Sequence, residues 1–183
     1  MANEKKLNYV ILGLLCHESL TGYEIKKRMD TALRLFWSAS YGSIYPTLNS
    51  MVNDGVVTKL ETTDNGRDKV IYTITAAGRE YLKNWLTLPV TKDELRYETL
   101  LKVFFGNEIG SGITLEHIHN FQSKIINELP YLQGTVHTLS KIQDKEEAHK
   151  YFLLTAMFGK RVYEAYLEWC KDAEKILGDG NNE

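Results

Sequence analysis

Gly42, Ser43, Pro46, Asn49, Ser50 and Asn53 fall on one side of a short helical stretch, with Tyr45 and Thr47 at its margins. Hydroxyls and a carboxamide at this spacing can hydrogen-bond phosphate oxygens and base edges, and their small size lets a backbone come close. No carboxylate interrupts the first half of the face, so nothing there repels a phosphate. Downstream, Arg67 and Lys69 flank a turn containing Asp64-Asn65-Gly66. Cations on a narrow loop beside such a helix can enter a minor groove or pair with phosphate, although a solvated hairpin tip has the same composition.

Residues able to do catalysis are present without the arrangement that catalysis needs. Gly106, Gly110 and Gly112 lead into Ile113-Thr114, not into the Gly-Lys-Ser or Gly-Lys-Thr ending of a phosphate-cradling loop, and read as a flexible connection. His117 and His119 are two apart, which on a helix directs them about 200° from each other and makes shared metal ligation poor. Cys16-His17 lack a third member. The chain therefore reads as neither an enzyme nor a holder of a metal or cofactor.

The elements that must position the polar face are legible from periodicity. Leu7, Val10, Ile11, Leu14 and Leu15 recur at helical spacing and predict a buried first helix ending near residues 18–20. Thr21, followed three residues later by Glu24, predicts a capping box at the start of a second helix. Its apolar side is Tyr23, Ile25, Met29 and Leu33, with Lys26, Lys27, Arg28 and Arg34 toward water. In the third helix Ile44, Leu48, Met51 and Val52 share a face and must be core, so the polar residues look outward; Gly55 stops it.

Residues 56–63 and 69–75 are β-prone and joined through Asn65-Gly66, the favoured pair for a tight hairpin. A fourth helix opens at Thr75 and runs through Tyr81, Leu82, Trp85 and Leu86 to Leu88-Pro89. The order is that of a winged helix-turn-helix with the third helix as reader: a mainly α domain with a small β wing over residues 1–88.

Residues 89–183 predict a C-terminal helical domain. A helix over 93–105 carries Leu95, Leu100, Leu101, Phe104 and Phe105. Ile118, Gln122, Ile125, Leu129, Leu132, Val136 and Leu139 then alternate at spacings of four and three, the period of a coiled-coil seam, which Pro130 should kink or break. Its partner is a last helix over 147–177, where Phe152, Leu153, Met157, Phe158, Val162, Tyr163, Tyr166, Trp169, Cys170 and Leu177 are apolar over more than one face. That surplus needs cover from another chain or from the first domain, and homodimerisation is the economical source. Tyr23, Trp37, Trp85 and Phe121 are candidates to line an aromatic effector cavity, the alternative being plain core packing.

Composition excludes little. Net charge is -2, unevenly placed: residues 1–88 hold 11 Lys and Arg against 9 Asp and Glu, residues 89–183 hold 11 against 15. The half with the wing is the more basic one. Two cysteines, Cys16 and Cys170, lie in apolar helical patterns and suit reduced core residues in a cytoplasmic protein. No stretch approaches a membrane span.

Several runs together resemble the PadR family of bacterial transcriptional regulators. They are Ile11-Leu12-Gly13-Leu14-Leu15, Thr21-Gly22-Tyr23-Glu24-Ile25, Phe36-Trp37-Ser38, Gly42-Ser43-Ile44-Tyr45-Pro46-Thr47-Leu48, Asp54-Gly55-Val56-Val57 and Tyr72-Thr73-Ile74-Thr75. Arg96-Tyr97-Glu98-Thr99-Leu100-Leu101-Lys102-Val103-Phe104-Phe105-Gly106 looks like the start of the long C-terminal domain of its first subfamily, related to virulence activators. The resemblance implies a homodimer held by C-terminal helices, with winged domains on an inverted repeat in a promoter, usually as a repressor. Some relatives release DNA on binding phenolic acids or lipophilic drugs. The implied DNA contacts are Ser40, Tyr41, Ser43, Tyr45, Pro46 and Asn49 on the helix and Arg67 and Lys69 on the wing. The other reading is a winged-helix protein-interaction module that does not bind specific DNA.

Overall fold

A computed structural model describes residues 2–33, 37–64, 67–90, 93, 97–142 and 148–178, with their side chains except at 2–5, 64 and 67. The chain divides into two compact units, Met1–Asp93 and Glu94–Glu183. The first contains α1 (Ala2–Leu15), β1 (Leu20–Thr21), α2 (Gly22–Ala32), α3 (Tyr41–Asn53), β2 (Val57–Asp64), β3 (Arg67–Ile74) and α4 (Ala76–Leu86). The second contains α5 (Glu98–Phe104), a 3₁₀ turn (Gly106–Glu108), α6 (Gly110–Lys141) and α7 (Ala148–Gly178).

The apolar stripes meet as the periodicity requires, except that on α2 Tyr23, expected on the apolar side, is exposed and Lys26, expected in water, is half-buried. Leu7, Ile11, Leu12 and Leu15 of α1 pack with Ile25 and Met29 of α2, Ile44, Leu48 and Met51 of α3, and Leu82 of α4. Val52, expected in this core, lies at its edge, half-buried against it. β2 and β3 pair antiparallel from Val57 opposite Ile74 to Asp64 opposite Arg67, and alternation turns Val57, Tyr72 and Ile74 inward. The strands thus run further toward the hairpin end than the expected boundaries at 63 and 69. β1 was not foreseen. Leu20 and Thr21 pair with Tyr72 and Ile71, giving the sheet order β1-β3-β2. Two residues carry no periodicity to read, and the strand forms because β3 would otherwise present an open edge.

One residue, Val56, joins three elements. The Val56 N–H donates to the Met51 carbonyl at 3.1 Å, and the Val56 carbonyl accepts from the Thr75 N–H at 3.1 Å. The Thr75 hydroxyl donates to the Gly55 carbonyl at 2.9 Å and accepts from the Gly78 N–H at 3.0 Å, capping α4. Gly55 is left-handed, with φ of 72°, which ends α3 without strain. Gly78 lies so close that a Cβ there would sit 2.1 Å from the Val56 oxygen.

In the second unit α6 and α7 form a long hairpin. Ile118, Ile125 and Leu132 are buried, and Gln122, Leu129, Val136 and Leu139 are half-buried, so the expected seam is the packed one. α6 runs through Pro130 without a break. The glycine stretch differs from expectation. It forms the 3₁₀ turn and the first residues of α6, because the buried Thr114 donates to the Gly110 carbonyl at 2.8 Å and crowds Gly106 too closely for a Cβ. α5 begins at Glu98 within the helix expected over 93–105; Leu95 lies outside the described residues. Leu100, Leu101 and Phe104 are exposed on it, as is Phe105 at its C-terminal cap.

Tyr97, Phe121, Tyr166 and Trp169 pack as an aromatic cluster, and the Tyr97 and Tyr166 hydroxyls are 2.6 Å apart. Burial, then the bond to Tyr97, pushes the Tyr166 hydroxyl well above the usual phenol range.

Gly78→Ala should cost about 1–3 kcal/mol of stability, because the added methyl meets a backbone oxygen that already holds a hydrogen bond. Thermal unfolding measures this; an unchanged midpoint would mean that the joint at Val56 is looser than its distances indicate.

Candidate nucleic-acid interface

α3 is the element that the polar face rides on. Ile44, Leu48 and Met51 have 0% exposure, which fixes the helix about its axis. Ser40 is its N-cap residue, without a capping hydrogen bond from its side chain, and the helix continues through Pro46 in its second turn. With the inner stripe locked, Ser40, Tyr41, Tyr45, Pro46 and Asn49 are exposed and Ser43 is half-exposed. All six expected helix positions therefore lie together on one outer surface.

Hydrogen bonding sorts what that surface offers. The Ser43 hydroxyl donates to the Ser40 carbonyl at 2.9 Å and the Thr47 hydroxyl to the Ser43 carbonyl at 2.7 Å. With those protons committed within the helix, both oxygens are left as acceptors, and that of Ser43 already lies 3.2 Å from the Ser40 hydroxyl. The Asn49 carboxamide and the Tyr41 phenol carry the outward donors, suited to phosphate, whereas the Tyr45 hydroxyl lies against Gly22 at the start of α2. Tyr41 and Tyr45 stand one turn apart and stack, with ring centroids 6.2 Å apart and planes at 19°. From α2, the Lys26 ammonium lies 5.7 Å from the Tyr41 ring centroid while also pairing with Asp30. This association of a cation with an aromatic ledge was not anticipated. The spacing of Tyr41 and Tyr45 by four residues was the signal available for half of it.

α2 starts with the expected capping box. The Thr21 N–H and hydroxyl each donate to Glu24 Oε2 at 2.8 Å, and the Glu24 N–H donates to the Thr21 hydroxyl oxygen at 3.2 Å. These bonds, backbone first, hold the Glu24 carboxyl below the usual range, and Lys69 and Arg28 add to the effect. Lys69 is therefore not a tip residue acting alone. It stands opposite Thr62 inside β3, exposed, with its charge felt at the start of α2. Arg67 opens β3 opposite Asp64, and its side chain lies outside the described residues.

Two family descriptions match the chain: "Transcriptional regulator PadR-like family" over residues 11–84 and "Virulence activator alpha C-term" over residues 95–178. The negative transcriptional regulator PadR of Bacillus subtilis (strain 168) is 29% identical over 175 residues, covering 88% of this chain and 93% of its own. The chain belongs to the PadR-like family of transcriptional regulators. A crystal structure of Bacillus subtilis PadR in complex with operator DNA superposes with a TM-score of 0.78 at 26% identity, covering 93% of this chain and 98% of that one. Another, in complex with p-coumaric acid, has a TM-score of 0.72 at 24% identity, covering 94% and 98%. The winged-helix fold of this PadR-like chain is thus shared along nearly its whole length, and its relatives are regulators, not enzymes.

The four aromatics expected around an effector occupy different settings in this PadR-like regulator. Tyr23 is 61% exposed on α2. Trp85 stacks on Tyr9 at 4.4 Å, and the Tyr9 hydroxyl donates to that of Tyr81 at 3.1 Å. Trp37 precedes α3, and its indole N–H is buried with no acceptor among the described residues. Phe121 belongs to the aromatic cluster of the second unit. No helix among the described residues is long and apolar enough to cross a membrane.

A depressed carboxyl contributes stability that is complete above its unfolded value and is lost as pH falls through the folded one. Glu24→Gln keeps a capping-box residue but removes the charge. The variant should therefore show a flatter fall of thermal midpoint than wild type between about pH 5 and pH 3. Parallel curves would show that Glu24 does not titrate as the bonds from Thr21 require.

Proposed function

We propose that this PadR-like regulator binds a specific sequence in double-stranded DNA. It does so as a homodimer on an inverted repeat in a promoter, acts as a repressor, and is released by a small aromatic or lipophilic effector. The observation that carries the DNA reading is the division of α3 into a fully buried stripe and an outer face of hydroxyls, phenols and a carboxamide without a carboxylate. Residues 1–88 then form the DNA-binding domain, with Ser40, Tyr41, Ser43, Tyr45, Pro46 and Asn49 in the major groove and Arg67 and Lys69 on adjacent backbone. The relative solved with operator DNA supports this placement at the level of fold.

Residues 89–183 take the dimerisation role. Tyr151, Leu154 and Phe158 recur at intervals of three and four along α7, and the latter two are 62% and 69% exposed. A stripe of that kind, with Phe104 and Phe105 of α5 also exposed, calls for cover by another copy. Within the effector set, the buried Trp37 indole N–H has no acceptor among the described residues and suits a carboxylate or phenolic oxygen.

A gel shift of the chain's own upstream DNA against a control duplex tests the central reading; equal retardation of both would favour the protein-interaction module. Arg67→Ala and Lys69→Ala should each lower affinity for both duplexes and reduce the salt slope by about one unit. An unchanged slope removes the wing from the contact. Leu154→Asp/Phe158→Asp should shift the mass in sedimentation equilibrium from dimer to monomer, and a variant that stays dimeric places the interface elsewhere.

A further inference from the structure

Gly22 opens α2 with an ordinary helical start, not a left-handed one, so its backbone conformation does not demand glycine. What demands it is a ring from another helix. A Cβ at Gly22 would lie 2.6 Å from Cε1 of Tyr45, 2.9 Å from its Cζ and 3.1 Å from its hydroxyl oxygen. The phenol end of Tyr45 thus rests in a notch that exists only because residue 22 has no side chain. Tyr45 as a whole remains 42% exposed and its ring carries that of Tyr41 in a stack, and Tyr41, 44% exposed, has the Lys26 ammonium beside it.

We propose that Gly22 is a positioning residue for DNA contact: its notch sets the direction of Tyr45 and, through the stack, of Tyr41. The proposal rests on the DNA-binding reading above. Seated in the notch, Tyr45 lies back against the start of α2, leaving Tyr41 as the outer phenol at the first turn of α3. A methyl at residue 22 meets the far end of a flexible side chain. The ring can swing away at little cost to the fold, and the ledge is then presented in a different direction. Gly22 acts in this way without touching nucleic acid itself.

The test is a double-variant cycle on the upstream DNA fragment, with thermal unfolding run alongside. Gly22→Ala should weaken binding about tenfold, the size of one lost hydrogen bond to a charged phosphate, with its thermal midpoint near that of wild type. Tyr45→Ala should lose a comparable amount. Gly22→Ala/Tyr45→Ala should bind no more weakly than Tyr45→Ala, because the methyl then meets no ring. Wild-type affinity in Gly22→Ala overturns the proposal, and so does a further tenfold loss in the double variant, which would mean that the methyl acts on something other than Tyr45. Should Gly22→Ala fail to fold, the double variant against Tyr45→Ala decides by itself. A wild-type chain that does not prefer its upstream fragment over a control duplex sinks the DNA reading and this proposal together. Specific wild-type binding with uncoupled variants sinks this proposal alone.

Discussion

Val56 is where the end of α3, the start of β2 and the opening of α4 are tied to one another. Its N–H closes α3 on Met51, and its carbonyl holds Thr75, which in turn binds Gly55 and caps α4. Because the tie is made of backbone groups and one threonine hydroxyl, its geometry barely depends on side-chain packing. Gly78 is the condition for it, since a side chain there would occupy the space of the carbonyl oxygen. Helix and wing can therefore be displaced only together.

A second constraint acts on rotation of α3 about its own axis. Three fully buried side chains at intervals of four and three leave the helix one orientation in which no apolar surface is lost. Turning it would bring Tyr41 and Asn49 toward the core and expose Ile44 or Leu48, at a cost of about 1.5–3 kcal/mol for each large side chain moved. The outer face is thereby defined by exclusion. What the face lacks in charge is partly supplied from α2, whose Lys26 reaches Tyr41 and whose Gly22 receives Tyr45.

Features set by periodicity or by local chemistry could be read directly from residue types. The stripes of α1 to α4, the capping box of Thr21 and Glu24, the stop at Gly55 and the seam of α6 all belong to this class. Features that arise when distant segments meet could not be read. β1 is two residues long and exists through its pairing with β3. The glycines before α6 read as loop because their composition suggests a loop, whereas the buried Thr114 recruits them into a turn and a helix start. In the candidate site, the outward positions on α3 followed from the inward ones. The notch at Gly22 and the influence of Lys69 on Glu24 required knowing which elements lie side by side.

The two apolar patterns of α7 carry different weight. One is consumed within the hairpin, where Cys170 and Ala173 are buried against α6 and burial pushes the Cys170 thiol up, away from reactivity. The other, through Tyr151, Leu154 and Phe158, faces outward, and Phe104 and Phe105 are exposed as well. Large aromatic side chains bury roughly 150–250 Å² each, so the exposed parts of these four aromatics and Leu154 supply a good share of the ~800 Å² per partner of a stable interface. Under the proposed dimer this area also answers the weakness of an uncharged reading face. A single winged domain with few cations gains little from phosphate, but two domains joined through a stable interface bind the second half-site at an effective concentration in the millimolar range. On this account the apolar surplus of the C-terminal helices is what allows α3 to read DNA with hydroxyls and phenols in place of arginines.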